Sequence, residues 1–500
     1  MKTFSACLFA GLLSVAVLNA VPVTNDIVEA AKSQNMAVVN DLIGGKADVN
    51  AAAPDGSTAL LWAIQRDDAA MTTALLNASA DANAANRYGV TPLMVAATNG
   101  NPAIIEMLIK AGANTNAVSA EGETVIMTAA RTGRPEAVAL LLANGVEVNA
   151  SEGWRGQTAL MWAAGEGHVE AVNLLVKAGA DISAKSTAGF SPFLFAVREG
   201  RQNVVQALLD AGSDVNQTLP APRRSRYYSS PSSSVAPKIG SSALDLAVSN
   251  AHFELAAMLL DAGADPNASG PGWAPLHTIT WVRIPGVGSN DPAPQGSGNL
   301  GSLELVRKLV AHGADVNVRM TSRSRAGKHS LNTIGGTPFL AAARTADVEL
   351  MRLLHELGAD PLTPNENGTT PLMVAAGLGT RAPDEDAGTP ETVVEAVKLA
   401  LELGGDPNAV DSNGDTAMHG AAYKHVAGAV PVLMAAGANI EIWNRKNHLG
   451  WTPLRIATGV HRGMNLRASP EAAAAIHKVM ESAGVSTIVE PEEFVSGETK

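Results

Sequence analysis

Six residues of this chain, Gly296-Ser297-Gly298-Asn299-Leu300-Gly301, carry the G-x-G-x-x-G spacing with which a backbone can approach a pyrophosphate. Dinucleotide chemistry also needs a strand before the glycines, and here they follow Asn290-Asp291-Pro292-Ala293-Pro294-Gln295, a loop composition. The glycines are read instead as a flexible lead into a helix from Leu303 to Ala311, and no cofactor is expected. The 11 histidines show neither H-E-x-x-H nor zinc-finger spacing. His419 and His425 fall on different faces of a helix. Asp384-Glu385-Asp386 lacks the spacing of an EF-hand loop and reads as a solvated acidic turn. No Gly-x-Ser-x-Gly nucleophile elbow occurs. With no nucleophile, base or metal set in a recognisable arrangement, the sequence points to a binder and not to an enzyme.

What positions side chains here is a repeat. A Thr-Pro-Leu segment or close variant begins at Thr58, Thr91, Thr124, Thr158, Ser191, Ser242, Ala274, Thr337, Thr370, Thr416 and Thr452. The successive spacings are 33, 33, 34, 33, 51, 32, 63, 33, 46 and 36 residues. A base period of 33 with a few inflated intervals means an array of small units with insertions. Each unit then contacts only its neighbours, and no central core grows with chain length. Composition agrees: hydrophobic residues make up 46% but aromatics only 4%, so helices must pack closely through Ala, Leu and Val. In the unit from Arg87 to Ala120, Thr91 caps a helix, Pro92 fills its first turn, and Leu93, Ala96, Ala97 and Gly100 follow at helical spacing. Asn99-Gly100-Asn101 turns the chain, and Pro102 opens a second helix through Ile104, Ile105, Met107, Leu108 and Ile109. Gly112 ends that helix, and Ala113-Asn114-Thr115-Asn116 leads away in extended form as a finger.

Thr-Pro-Leu-X-X-Ala-Ala, a Gly nine positions after the Thr, and endings such as Gly263-Ala264-Asp265-Pro266-Asn267 and Gly313-Ala314-Asp315-Val316-Asn317 resemble the ankyrin repeat. The resemblance covers essentially the whole mature chain. It implies an all-α, curved solenoid of about twelve helix-turn-helix units with finger loops and four insertions. As a whole the chain is similar to secreted bacterial ankyrin-repeat proteins. The family's histidine after Thr-Pro-Leu is kept only as His277 and His419; at Met94, Met127, Met161 and Met373 apolar packing is expected in its place. The expected layout is a secretory signal over 1–20, a degenerate N-terminal capping repeat over 21–54, the array over 55–484, and an acidic tail over 485–500. Insertions interrupt the array at 219–239, 284–301, 319–332 and 380–389.

If positions 2, 5, 6 and 9 after the Thr site face the core, helical geometry turns positions 4, 7 and 8 away from it. Position 7 brings Arg131, Arg198, Trp281, Arg344 and Tyr423, residue types enriched at binding hot spots. The residue just before the Thr site brings Phe190, Trp273 and Trp451 to the same inner side. Two insertions lie at fingers and are basic: Arg223, Arg224, Arg226, Tyr227 and Tyr228 in the first, Arg323, Arg325 and Lys328 in the second. Both on one edge, they suit an anionic partner such as an acidic protein patch or a polysaccharide; the other reading takes them as Ser/Arg/Pro-rich loops with no fixed partner. The insertions at 284–301 and 380–389 fall between the helices of a unit, on the opposite edge.

Lys2, the apolar run Ala6 to Leu18 and the small residue ending Leu18-Asn19-Ala20 have the form of a secretory signal. The sole cysteine, Cys7, lies inside it, so the mature chain is expected to hold neither a disulfide nor a thiolate metal site. Asn149, Asn216 and Asn267 open Asn-X-Ser/Thr triplets at one phase of the repeat, where a glycan would obstruct the next unit. That favours a bacterial periplasm or cell exterior over a eukaryotic route. The net charge of −12 argues against non-specific nucleic-acid binding, and no later stretch reaches the roughly 18 apolar residues of a membrane helix. The expected function is a monomeric, non-catalytic protein–protein interaction scaffold in the periplasm or outside the cell, binding through a concave helix face and finger loops. The alternatives are a translocated effector that binds a host protein and an accessory subunit of an envelope enzyme.

Overall fold

A computed structural model describes residues 26–219, 239–285, 294–323, 330–461 and 465–489. The signal reading over 1–20 lies outside the described residues, as do Arg223, Arg224, Arg226, Tyr227, Tyr228, Arg325, Lys328 and the tail from 490 onwards. The described chain forms twelve helix pairs, from Ile27–Lys32 with Met36–Gly44 to Pro453–Ala457 with Pro470–Ser482. It divides into two compact units, Met1–Trp154 with four of the pairs and Arg155–Lys500 with eight. No described helix is long and apolar enough to cross a membrane.

Local chemistry sets where each pair begins and ends. Before helix Pro92–Asn99, Thr91 is extended and its hydroxyl accepts the Met94 N–H at 3.3 Å, satisfying one of the donors a helix start leaves open. Gly100, left-handed at φ 76°, closes the helix where a Cβ would be strained. The same cap recurs at Thr58, Ser191, Thr337 and Thr452; each is worth about 1 kcal/mol. Ala274 has no hydroxyl, and His277 serves it from inside the helix. Its Nδ1 accepts the Ala274 N–H at 3.3 Å while its Nε2–H donates to Gly336 O at 3.2 Å. Met127 and Met373 do more than fill space, since their sulfurs accept the Thr124 and Thr370 N–H groups at 3.5 and 3.4 Å where the imidazole would stand. Asp245 takes that place in its own repeat, buried and accepting the Thr278 hydroxyl at 2.5 Å.

Packing follows the small-residue pattern. Ala96 and Ala97 are fully buried and let the helices approach, while Ile104, Ile105 and Leu108 fill the space behind them. Burying each of those three stabilises by about 1.5–3 kcal/mol, and Leu108→Ala would cost about 2–5 kcal/mol.

The fingers join one repeat to the next. Asn50, Asn83 and Asn116 each accept, at 2.7 Å, the N–H of Asp81, Asn114 or Glu147 in the following repeat. Asn216, Asn267 and Asn317 do the same for Asp265, Asp315 and Asp360 at 2.8 Å. The amide of each donates back: Asn83 to Gly112 O at 3.0 Å and Asn267 to Gly313 O at 2.8 Å. Further out, a glycine two residues before the Thr site turns each finger with positive φ. At Gly89 (φ +72°) a Cβ would lie 2.7 Å from Ala120 N, because the Ala120 N–H donates to Tyr88 O at 3.1 Å.

Three features depart from the expected pattern. Val460–His461 and Asn465–Leu466 pair as a small antiparallel hairpin within the last repeat, a minor addition to an otherwise helical fold. A short helix, Ile440–Trp443, buries Trp443 in a finger. The third concerns insertions expected to stay on opposite edges. The Ser330 N–H, near the end of the finger insertion, donates to Gly379 O at 2.8 Å, at the border of the inter-helix insertion 380–389. Two residues on, Asn332 meets the next finger, its carbonyl accepting the Asn365 amide at 2.6 Å and its own amide donating to Asn367 Oδ1 at 2.9 Å. Ser330 to Asn332 therefore runs alongside helix Pro371–Ala375 from its finger to its far end.

Candidate functional site

The side of the first helices that faces away from the second helices, with the inner flanks of the fingers, is the surface on which sequence placed half of the binding residues. In the N-terminal unit it is an open groove of about 410 Å³, lined from helices Ala59–Gln65, Pro92–Asn99 and Val125–Thr132 and from their fingers. Leu61, Val90, Met94 and Val95 make its apolar floor; Gln65, Asn86, Thr98, Ser119 and Arg131 line its sides. Arg131 is paired with Glu123 at 3.2 Å, and the Thr128 hydroxyl donates to the same carboxylate at 3.0 Å. A second groove, of about 380 Å³, lies in the last repeat between Leu454, His477 and Lys478.

In the other unit the predicted residues are more engaged with their own chain. Arg198 stacks over Phe190 and Phe195 at 5.1 and 5.0 Å and pairs with Glu199 at 2.7 Å. The two phenyl rings are 5.3 Å apart. Trp281 is half-buried against Trp273 in an edge-to-face pair at 5.9 Å, and Trp273 itself is buried. Arg323 donates to Asn332 Oδ1 at 3.3 Å.

Arg344, Tyr423 and Trp451 were expected to face a partner, and the structure buries all three. Arg344 and Lys424 flank Asp386, with Arg344 Nη1 3.6 Å and Lys424 Nζ 3.8 Å from its carboxylate. Asp386 also accepts the Thr380 hydroxyl at 2.7 Å and the Ala387 N–H at 3.0 Å, while Lys424 Nζ donates to Ala387 O. The solvated reading of the acidic turn therefore holds for exposed Asp384 and fails for Asp386, because the turn folds inward onto two cations. Burial pushes the pKa of both Arg344 and Lys424 down, and the nearby carboxylate opposes that shift.

Tyr423 belongs to a polar cluster that sequence did not single out. Its hydroxyl oxygen accepts the Asn447 amide at 3.1 Å, and the same amide donates to Asp415 Oδ1 at 2.7 Å. Asn447 Oδ1 in turn accepts the Trp451 N–H at 3.1 Å. Burial raises the Asp415 carboxyl to about 6 and pushes the Tyr423 hydroxyl up as well. The available signal was position: Asn365, Asp411 and Asn447 share one phase of the finger, and all three are buried.

The glycine-rich stretch at 296–301 has a packing role. The Ser297 N–H donates to His252 Nδ1 at 3.1 Å and the Asn299 N–H to Glu254 Oε2 at 3.0 Å. Gly296 has no room for a Cβ against Ala251 O. The glycines thus let the insertion lie against the preceding repeat. Among the described residues no group of three His, Cys, Asp or Glu side chains could hold a metal ion.

Comparison with known proteins gives no match to a curated protein. A family model described as ankyrin repeats in three copies matches residues 27–119 and 126–219, and one for a single ankyrin repeat matches 239–271. The helix pairs, capped threonines and finger joints continue, with insertions between some of them, through Pro453–Ala457. An array of this kind is a protein–protein interaction scaffold, and this chain belongs to the ankyrin-repeat family.

Proposed function

We propose that the protein is a non-catalytic binding scaffold of the periplasm or cell exterior that takes a protein partner on the first-helix face and fingers of its N-terminal unit. The observation that carries this is the groove shared by three consecutive repeats, where an apolar floor is ringed by polar side chains from both helices and fingers. A recognition surface needs an apolar centre and a polar rim in that arrangement. Gln65 and Thr98 are exposed at its side, so a partner reaches them without local unfolding. The envelope location is supported by the signal-like N-terminus and by the finger asparagines: Asn216 and Asn267 open glycosylation triplets, yet their amides are bonded to Gly263 O and Gly313 O. Crosslinked capture from the native envelope fraction, with wild type beside Gln65→Trp/Thr98→Trp, tests the reading. Filling the groove should abolish capture of the partner. Equal capture by both proteins would remove the groove as the site.

A further inference from the structure

Large apolar side chains rarely stand in water among the described residues, and three that do belong to neighbouring fingers. Tyr88, Val118 and Trp154 are 69%, 56% and 77% exposed and occupy successive fingers of the N-terminal unit. Their fingers are held in register: the Arg87 N–H donates to Asp55 O at 2.9 Å, the Ala120 N–H to Tyr88 O at 3.1 Å, and Gly122 packs against Gly153. The three side chains therefore stand on adjoining fingers. Asp48, Asp55, Asp81, Glu121 and Glu147 stand exposed on the same fingers and outnumber the exposed cations Lys46, Arg87 and Arg155. Rows of exposed apolar groups set among polar ones mark contact surfaces.

We infer that this edge docks a cationic polypeptide segment in which lysine or arginine alternates with aromatic or aliphatic side chains, an assignment that rests on the binding reading above and names the partner's chemistry. The carboxylates repel an anionic partner and steer a cationic one in. Tyr88 offers a ring face both to apolar side chains and to the cations between them. Alternation suits the geometry, since an extended chain of roughly ten residues spans about 33 Å, the reach of four neighbouring fingers at about 10 Å per helix layer.

Fluorescence anisotropy of the full chain tests this with three labelled synthetic peptides of that length. One alternates lysine with leucine and tryptophan, the second replaces each lysine by glutamate, and the third keeps the lysines but replaces the apolar residues by serine. The first should bind at least about tenfold more tightly than either control, and more weakly as salt rises through about 0.5 M. Asp81→Asn/Glu121→Gln/Glu147→Gln and Tyr88→Ser/Trp154→Ser should each weaken it at least about tenfold; all five positions are exposed, and an unchanged melting profile checks the fold. Tight binding of the glutamate peptide, equal binding of the serine peptide, or indifference to both variants overturns the inference. If groove filling abolishes capture of the native partner while both finger variants retain it, the binding reading stands and this inference falls. If none of the variants affects capture, both fall.

Discussion

Asp386→Asn removes one negative charge from between two buried cations. The Arg344, Asp386 and Lys424 side chains are only 10%, 4% and 3% exposed, so water screens them little. At an effective dielectric near 20, charges at the observed separations attract by about 4–5 kcal/mol per pair. Against this stands the cost of keeping Asp386 itself out of water, several kcal/mol. Loss of the carboxylate keeps the desolvation of Arg344 and Lys424 and removes what offset it, so a net loss of about 3–5 kcal/mol is expected. Arg344→Met should cost far less, because Arg344 Nη1 has no hydrogen-bond partner and its removal leaves Lys424 and Asp386 as a balanced pair.

A repeat array opens locally, so a single global stability would blur this effect. Hydrogen exchange at the Ala387 and Ser330 amides, which bond to Asp386 and Gly379, reads it directly. Protection at both should fall in Asp386→Asn and recover in part when Arg344→Met is added. The pH dependence has a fixed sign. Burial holds the folded pKa of Lys424 below its usual 10.5, so the unfolded chain binds the proton better, and the loss shrinks as pH rises towards that value. Unchanged protection in Asp386→Asn, or a loss that grows with pH, would refute the account of two buried cations held by one carboxylate.

Other consequences follow from the joints and the buried titratable groups. Asn267→Ala removes the acceptor for Asp315 N–H and the donor to Gly313 O, and should lower the urea midpoint of the flanking repeats by an amount equivalent to about 1–2 kcal/mol. Gly89→Ala places a side chain at φ +72° and 2.7 Å from Ala120 N, and should cost more than about 1 kcal/mol, with faster exchange at Ala120. His277 and His419 are held down to about 4 by burial, so their contribution is complete above the usual 6.5 and is lost as pH falls from there through 4. Asp415 is raised to about 6, so its contribution has the opposite sign, complete below 3.8 and lost as pH rises through 6. Asp415→Asn should therefore flatten the neutral-to-acid slope seen in exchange around Asn447 while leaving the histidine slope.

Helix starts were legible because they depend on residues within four positions of each other. A hydroxyl, a proline and an apolar face suffice, and the Thr-Pro-Leu register places eleven of the twelve pairs with them. The finger joints were present in the sequence as Asn at one phase and Gly two residues before each Thr site, but their role is a contact between units that one unit does not show. Helical geometry at position 7 was a sound rule and failed for Arg344 and Tyr423 for a reason outside the helix. Arg344 is buried under a turn that carries its counter-ion, and Tyr423 under a finger that brings Asn447. The turn over Arg344 has no period to read, whereas Asn447 shares its finger phase with Asn365 and Asp411.

That failure alters where recognition belongs. The broken intervals of the sequence marked the units with extra chain, and extra chain can either reach for a partner or cover its own scaffold. Between Ser330 and Gly388 it covers: Leu331, Asn332, Leu378, Thr380 and Asp386 are all buried, with two cations held beside one carboxylate inside. Covering a face uses the side chains that would otherwise meet a partner. Where the period stays near 33, in the N-terminal unit, the groove from Ser57 to Arg131 is open and Tyr88, Val118 and Trp154 are exposed on the fingers. If binding energy concentrates in that regular stretch, substitutions at Gln65, Thr98, Tyr88 and Trp154 should weaken capture of the partner, while Arg344→Met should leave it intact. The reverse pattern would return recognition to the irregular repeats.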